Sequence, residues 1–248
     1  MSTGTSRPSI QDLPRYNAKE RRVLGVMIEK GKTTPDYYPM TLAGLITGCN
    51  QKSNREPVVS YNEDDVEDTL VDLREKQSAI KVEGLGRVPK FKHNIYERWG
   101  VSKAEISVLA ELLLRGPQTE GELRARSERM EDTLVDQNAL QNVLDPLRQR
   151  GLVITLTPPG RRRGVIVSHA FYNDSEIEAL KLKYAGSGDD SDDDSGGSGA
   201  DRSQAASGAA RTELKYEVNQ LRQIVDSLVE RVELLETELI NLRQELGG

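Results

Sequence analysis

Four amides and two basic clusters are the residues of this 248-residue chain whose types and spacing suit a chemical task. Gln137, Asn138, Gln141 and Asn142 fall at helical spacing and make one polar face. Asn and Gln side chains pair with adenine edges in a major groove. Arg161, Arg162 and Arg163 stand between Gly160 and Gly164. Three guanidinia on a glycine-flanked turn suit phosphate contact or entry into a minor groove. An earlier turn carries Arg87, Lys90, Lys92 and His93. These, His93 apart, are the candidate nucleic-acid-binding residues. The plain alternatives are a solvated helix face and solvated turns.

Other chemistry finds little support. Cys49, His93 and His169 are the only cysteine and histidines, and none lies at ligand spacing from another, so no metal site is expected. Cys49 falls at a helix end without a nearby histidine and reads as a small buried residue rather than a nucleophile. Phosphate-binding glycine motifs are absent, and Gly84-Leu85-Gly86 reads as a hairpin turn. No catalytic constellation emerges, so the expectation is a non-enzymatic protein without a cofactor. A single cysteine precludes an internal disulfide. No apolar run approaches the length of a membrane span. Residues 1–16 have no apolar signal core and read as a disordered tail. Together these features point to the cytoplasm.

The elements that must position the amides and arginines form a degenerate repeat. Val23-Leu24, Gly31 and Thr34 recur as Val108-Leu109, Gly116 and Thr119. Val66, Leu70 and Leu73 recur as Leu140, Leu144 and Leu147. Each copy opens on a capping-box pattern, Asn17 to Glu20 or Ser102 to Glu105, followed by apolar residues at helical spacing. Gly31 or Gly116 ends that helix. A short helix is expected after Thr41 or Thr119, then a third, amphipathic helix. Strand, turn and strand close each copy, near 80–91 and 153–167. Three helices closed by a two-stranded wing is the winged-helix plan. The expected fold is mainly α with small β-wings: winged-helix domain 1 over residues 17–100 and domain 2 over 101–185. Trp99 falls between the copies and is expected to pack at their junction.

Two details complicate this plan. Pro146 should either kink the third helix of domain 2 or restart it at Asp145. The first copy also carries an extra stretch, Thr33 to Pro57, that reads as a polar loop with Tyr37 and Tyr38. It is either a ligand or protein contact or a loop packed on its own domain.

Charge divides the chain. Residues 1–185 hold 28 Lys/Arg against 26 Asp/Glu, whereas residues 186–248 hold 6 against 14. Residues 186–210, rich in Gly, Ser and Asp, cannot bury enough apolar surface to offset their ordering entropy and read as a disordered linker. Residues 211–248 follow a strict heptad through Leu214, Val218, Leu221, Val225, Leu228, Val232, Leu235, Leu239, Leu242 and Leu246. Leu at every d position with mainly Val at a favours a parallel two-stranded coiled coil, hence a homodimer. Ile224 and Val229 widen the stripe and leave a higher oligomer open.

Residues 20–65, above all the blocks GKTTPDYYPMTL and GCNQKSNR, resemble the YceH family of uncharacterised bacterial proteins. The resemblance covers roughly residues 17–170. It implies tandem winged-helix domains and brings no catalytic or binding residues with it. The ending VIVSHAFYND of the second copy departs from the shorter, more polar ending expected there.

The third helix of domain 1 limits the functional reading. It carries Glu63, Asp64, Asp65, Glu67, Asp68, Asp72 and Glu75 against Arg74 and Lys76. Carboxylates beside phosphates oppose the counterion release that drives DNA binding. The expectation is therefore a dimeric, DNA-associated regulator working through domain 2. The alternative is a protein-interaction scaffold that grips partner proteins through domain 1.

Overall fold

The computed structural model describes residues 7–82, 88–161, 163–185 and 231. The chain separates into two compact units, residues 1–188 and 189–248. The linker, the ten heptad residues, Gly84-Leu85-Gly86, Arg87 and Arg162 lie outside the described residues.

The first unit is mainly helical with two small antiparallel sheets. Its first half runs α1 (Ala18–Thr33), β1 (Met40–Thr41), α2 (Leu42–Asn50), α3 (Glu63–Glu75), β2 (Ala79–Val82), β3 (Lys90–His93) and α4 (Ile95–Trp99). The second half repeats the order: α5 (Lys103–Arg115), β4 (Gln118–Thr119), α6 (Glu120–Ser127), α7 (Gln137–Gln149), β5 (Val153–Thr155), β6 (Ile166–His169) and α8 (Asp174–Ala185). Strand orders β1-β3-β2 and β4-β6-β5 also match. His93 lies opposite Ala79, and His169 opposite Val153, so the two histidines share one ladder position. Each accepts, through Nδ1, from the backbone N–H two residues on: Ile95 at 3.3 Å and Phe171 at 3.2 Å.

Local chemistry sets the helix starts. Capping boxes close on Asn17 and Glu20, Asn62 and Asp65, Ser102 and Glu105, and Thr119 and Glu122. Each satisfies N–H groups that a helix start leaves without partners. Thr41 caps α2 by accepting from Gly44 N–H. The expected helix starts after Thr41 and Thr119 are present. The stretch Thr33 to Pro57 is not one open loop, because it holds a 3-10 turn, β1 and α2.

Helices α1 and α5 form the centre. They are buried from Glu20 to Lys30 and from Glu105 to Leu114. A surface helix buries only a stripe; these two are covered by their own halves and by each other. They run antiparallel: Lys32 Nζ reaches the carbonyl of Lys103 at the start of α5, while Gly25 lies against Leu114 near its end. A Cβ on Gly25 would stand 2.9 Å from the Leu114 side chain, so glycine permits the close approach.

The tail expectation is corrected for residues 7–16. Tyr16 is 1% exposed and Leu13 7%. The segment straps both halves together. Ile10 N–H donates to Arg150 O at 2.9 Å, and Tyr16 N–H to Phe171 O at 3.0 Å. Trp99 is fully buried and stacks on Phe171 with ring centroids 4.2 Å apart, while its Nε1 donates to Tyr16 Oη at 3.1 Å. Trp99 thus packs at the junction, as its position predicts. The aromatic ending of the second copy supplies its partner.

Pro146 does not restart the helix at Asp145: α7 is one helix from Gln137 to Gln149 with Pro146 inside it. The amide face is therefore continuous along the helix.

Candidate nucleic-acid interface

Leu140, Leu144 and Leu147 bury one side of α7, and Asp136 caps its start by accepting from Ala139 N–H at 2.7 Å. Burial of the leucines turns Gln137, Asn138 and Asn142 outward, with Gln141 half-buried. The four amides do not act alike. Gln141 Nε2 donates to Glu120 Oε2 at 2.7 Å and Gln137 Nε2 to the same oxygen at 3.2 Å. Arg148 pairs with Glu120 and donates to Gln141 Oε1 at 2.9 Å. Arg148 also pairs with Asp145 at 3.3 Å. Two amides are thus held by a Glu120–Arg148 cluster. Asn138 and Asn142, one turn apart, are exposed and bond to no other described side chain.

The connection from β5 to β6 has left-handed backbone at Gly160 and Gly164, φ 92° and 63°. Arg161 and Arg163 are exposed. Arg161 Nε donates to Arg163 O at 2.8 Å, which folds the first guanidinium back over Gly164. On β3, Lys90 and Lys92 are exposed beside Phe91, which is buried. They lie opposite Val82 and Ile80, so alternation puts both lysines on the outer sheet face. Among the described residues neither forms an ion pair.

The acidic face of α3 is as expected. Asp65 pairs with Lys19 at 2.5 Å. Glu63, Asp64, Glu67, Asp68, Asp72 and Glu75 are exposed and pair with no described cation.

Cys49 is buried, and burial pushes its thiol up to about 12. The nucleophilic thiolate is therefore scarce at neutral pH. Among the described residues no three His, Cys, Asp or Glu side chains gather as metal ligands, and no helix is long and apolar enough to cross a membrane.

One polar centre escaped the sequence reading. Arg55 and Glu29 are both fully buried and paired at 2.5 Å. Arg55 Nε also donates to Gly48 O at 3.0 Å, and its Nη2 to Gln51 Oε1 at 2.7 Å. Arg129 of the second half reaches Glu29 and Glu111, at 2.5 and 3.2 Å. Arg115 donates to Asn54 Oδ1 at 2.5 Å. The signal was two carboxylates, Glu29 and Glu111, inside otherwise apolar helical runs. The GCNQKSNR block is thus a brace between the halves.

The comparisons agree on kinship. Residues 16–161 match the family model described as a protein of unknown function, DUF480. A UPF0502 protein of Rhodopirellula baltica is 46% identical over 184 residues, covering 73% of this chain and 76% of that protein. One of Geobacter sulfurreducens is 50% identical over 149 residues, 59% and 68% of the two chains. One of Pelobacter propionicus is 40% identical over 212 residues, 85% and 94%. The chain belongs to the DUF480/UPF0502 family of uncharacterised bacterial proteins, in keeping with its resemblance to YceH.

Proposed function

We propose that the chain is a non-enzymatic, DNA-associated regulator made of two winged-helix domains and dimerised by a coiled coil over residues 211–248. The repeated order helix, strand, helix, helix, strand, strand supports the winged-helix reading. The observation that carries the DNA reading is on α7. Asn138 and Asn142 project one turn apart from a helix whose nearby carboxylates, Glu120 and Asp145, both pair with Arg148. Arg161, Arg162 and Arg163 supply phosphate contact from the second wing, and Arg87, Lys90 and Lys92 from the first. Gln137 and Gln141 act as positioning residues through Glu120.

Electrophoretic mobility shift of the full chain on mixed duplexes at about 50 mM salt tests the reading, because phosphate contacts are strongest at low ionic strength. Retarded complexes are expected at micromolar protein. Their absence on every duplex overturns the reading. Dimerisation is tested by sedimentation: deleting residues 211–248, or replacing Leu228 by Lys, should give a monomer. A dimeric truncation would place the interface elsewhere.

One observation favours a scaffold as second reading. Val71 is 46% exposed on the acidic face of α3, an arrangement suited to a basic, amphipathic partner protein. Nuclease-resistant co-purification of a protein, together with failure to shift DNA, would favour it.

A further inference from the structure

Helices α3 and α7 are two editions of one unit, and the correspondence extends to single hydrogen bonds. Asn62 and Asp136 are the N-caps, and Val66, Leu70 and Leu73 match Leu140, Leu144 and Leu147. Both helices close in the same way. Lys76 N–H donates to Asp72 O, and Arg150 N–H to Pro146 O. Ser78 N–H donates to Leu73 O, and Leu152 N–H to Leu147 O, both at 2.8 Å. Gln77 and Gly151 hold the same left-handed backbone, φ 57° and 69°. At this register five positions pair an acid with its own amide: Glu63 with Gln137, Asp64 with Asn138, Glu67 with Gln141, Asp68 with Asn142, and Glu75 with Gln149. Arg74 matches Arg148, whereas Val71 and Asp72 stand at Asp145 and Pro146. Over the five matched positions the faces share their outline and differ in charge.

We infer that the first half carries a counterpart of the recognition face on the second and is held off nucleic acid by these five acids, leaving one duplex site per chain. The inference rests on the reading that α7 faces DNA. The rest of the first half keeps a cationic sheet face, since Lys90 and Lys92 share it, are exposed and form no ion pair among the described residues. A carboxylate in place of a primary amide keeps the outline, removes two N–H donors and adds a negative charge. Five such exchanges beside phosphates oppose counterion release.

The test exchanges the charges in the full chain: Glu63→Gln, Asp64→Asn, Glu67→Gln, Asp68→Asn and Glu75→Gln. A second variant changes only Glu67, Asp68 and Glu75, keeping the first-turn acids that favour the helix N-terminus. Duplex stoichiometry is read by fluorescence anisotropy. Wild type should bind one duplex per chain, and both variants two. The slope of log affinity against log salt should steepen for the new site by about 2 units, roughly 0.9 for each of the two lysines engaged. Wild-type binding with unchanged stoichiometry and slope in the folded three-residue variant overturns the inference and leaves the α7 reading intact. A wild type that binds no duplex, beside a variant that does, overturns the α7 reading and upholds the charge bar. Failure of both proteins to bind overturns both.

Discussion

The connection from α2 to α3 and the outer face of α7 use polar residues in opposite ways. Between Gly48 and Pro57, Asn50, Gln51 and Arg55 turn inward, while Lys52 and Glu56 stay exposed. Arg55 grips Glu29 and the Gly48 carbonyl, Arg22 donates to the carbonyls of Cys49 and Pro57, and Asn50 exchanges bonds with the Tyr61 backbone. On α7, Asn138 and Asn142 turn outward and bond to no other described side chain. The region most distinctive in sequence is therefore a structural brace, and the candidate contact surface is the plainer one. Distinctive polar residues follow internal constraint here, because a buried charge requires a specific partner at a specific place.

Removing one member of the brace should have the largest effect. Arg55→Ala leaves Glu29 buried beside Arg129 alone and should cost about 3–5 kcal/mol, the usual cost of breaking a buried pair. Urea denaturation measures it. Replacing Arg55 and Glu29 together by Met and Leu should cost less than Arg55→Ala, since no charge is then stranded. If Arg55→Ala costs under about 1 kcal/mol, the brace behaves as a surface pair and the contrast with α7 collapses.

Gly25→Ala comes next. Its Cβ would meet Leu114 at 2.9 Å, and overpacking of this kind costs about 1–3 kcal/mol. The change lies at the α1–α5 contact, so it should loosen the junction of the halves. Native Trp99 emission, blue-shifted by burial, should move to the red before either half unfolds. An unchanged spectrum and stability would show that α1 and α5 have room to separate.

Acid should weaken the molecule in two stages. Burial pushes His93 down from 6.5 to about 4, assisted by the Lys92 charge, and burial holds His169 well below 6.5, with Arg21 adding to the effect. Both imidazoles are neutral when folded, so their contribution is whole above about 6.5 and declines as pH falls toward 4. Burial would raise the Glu29 carboxyl, but Arg55 and Arg129 outweigh it and hold it well below 4.5. That contribution is present above about 4.5 and is lost only as pH falls further. Tm against pH should therefore decline from near 6.5 and fall more steeply below 4.5. His93→Gln should flatten the first stage by on the order of 1–2 kcal/mol. An unaltered first stage would assign it to His169 alone.

Much of the helical plan was legible because it is local. A cap such as Asn17 and its Glu20 lie three residues apart, and the apolar period of α7 lies within four turns. The strap was not legible. Ile10, Leu13 and Tyr16 stand three apart, but Pro14 falls among them and argues against a helix, and Tyr16 meets partners as distant as Ser78, Trp99 and Phe171. The division among the amides was hidden for the same reason: Glu120, which claims Gln137 and Gln141, lies in α6. The brace left a trace only in Glu29 and Glu111, acids where the helical pattern calls for apolar residues.

That division among the amides yields the prediction with the smallest effect on stability. Asn138→Ala and Asn142→Ala change exposed side chains without described partners, so stability should stay within about 0.5 kcal/mol. If these residues read bases, each lost bidentate contact should cost about 1–3 kcal/mol of discrimination between preferred and altered duplexes. Gln141→Ala should do the reverse. It removes a donor from Glu120 and an acceptor from Arg148, which lowers stability slightly and leaves sequence preference in place. Replacing Arg161, Arg162 and Arg163 together by Ala separates the phosphate contribution. It should weaken binding to every duplex alike and flatten the salt slope by up to about 2–3 units, roughly 0.9 per contact. The three results should dissociate: preference follows the asparagines, salt dependence the arginines, and stability the glutamine. Loss of preference in Gln141→Ala equal to that in Asn142→Ala would show that the Glu120 cluster releases its amides on binding. The outward face of α7 would then comprise all four residues rather than two.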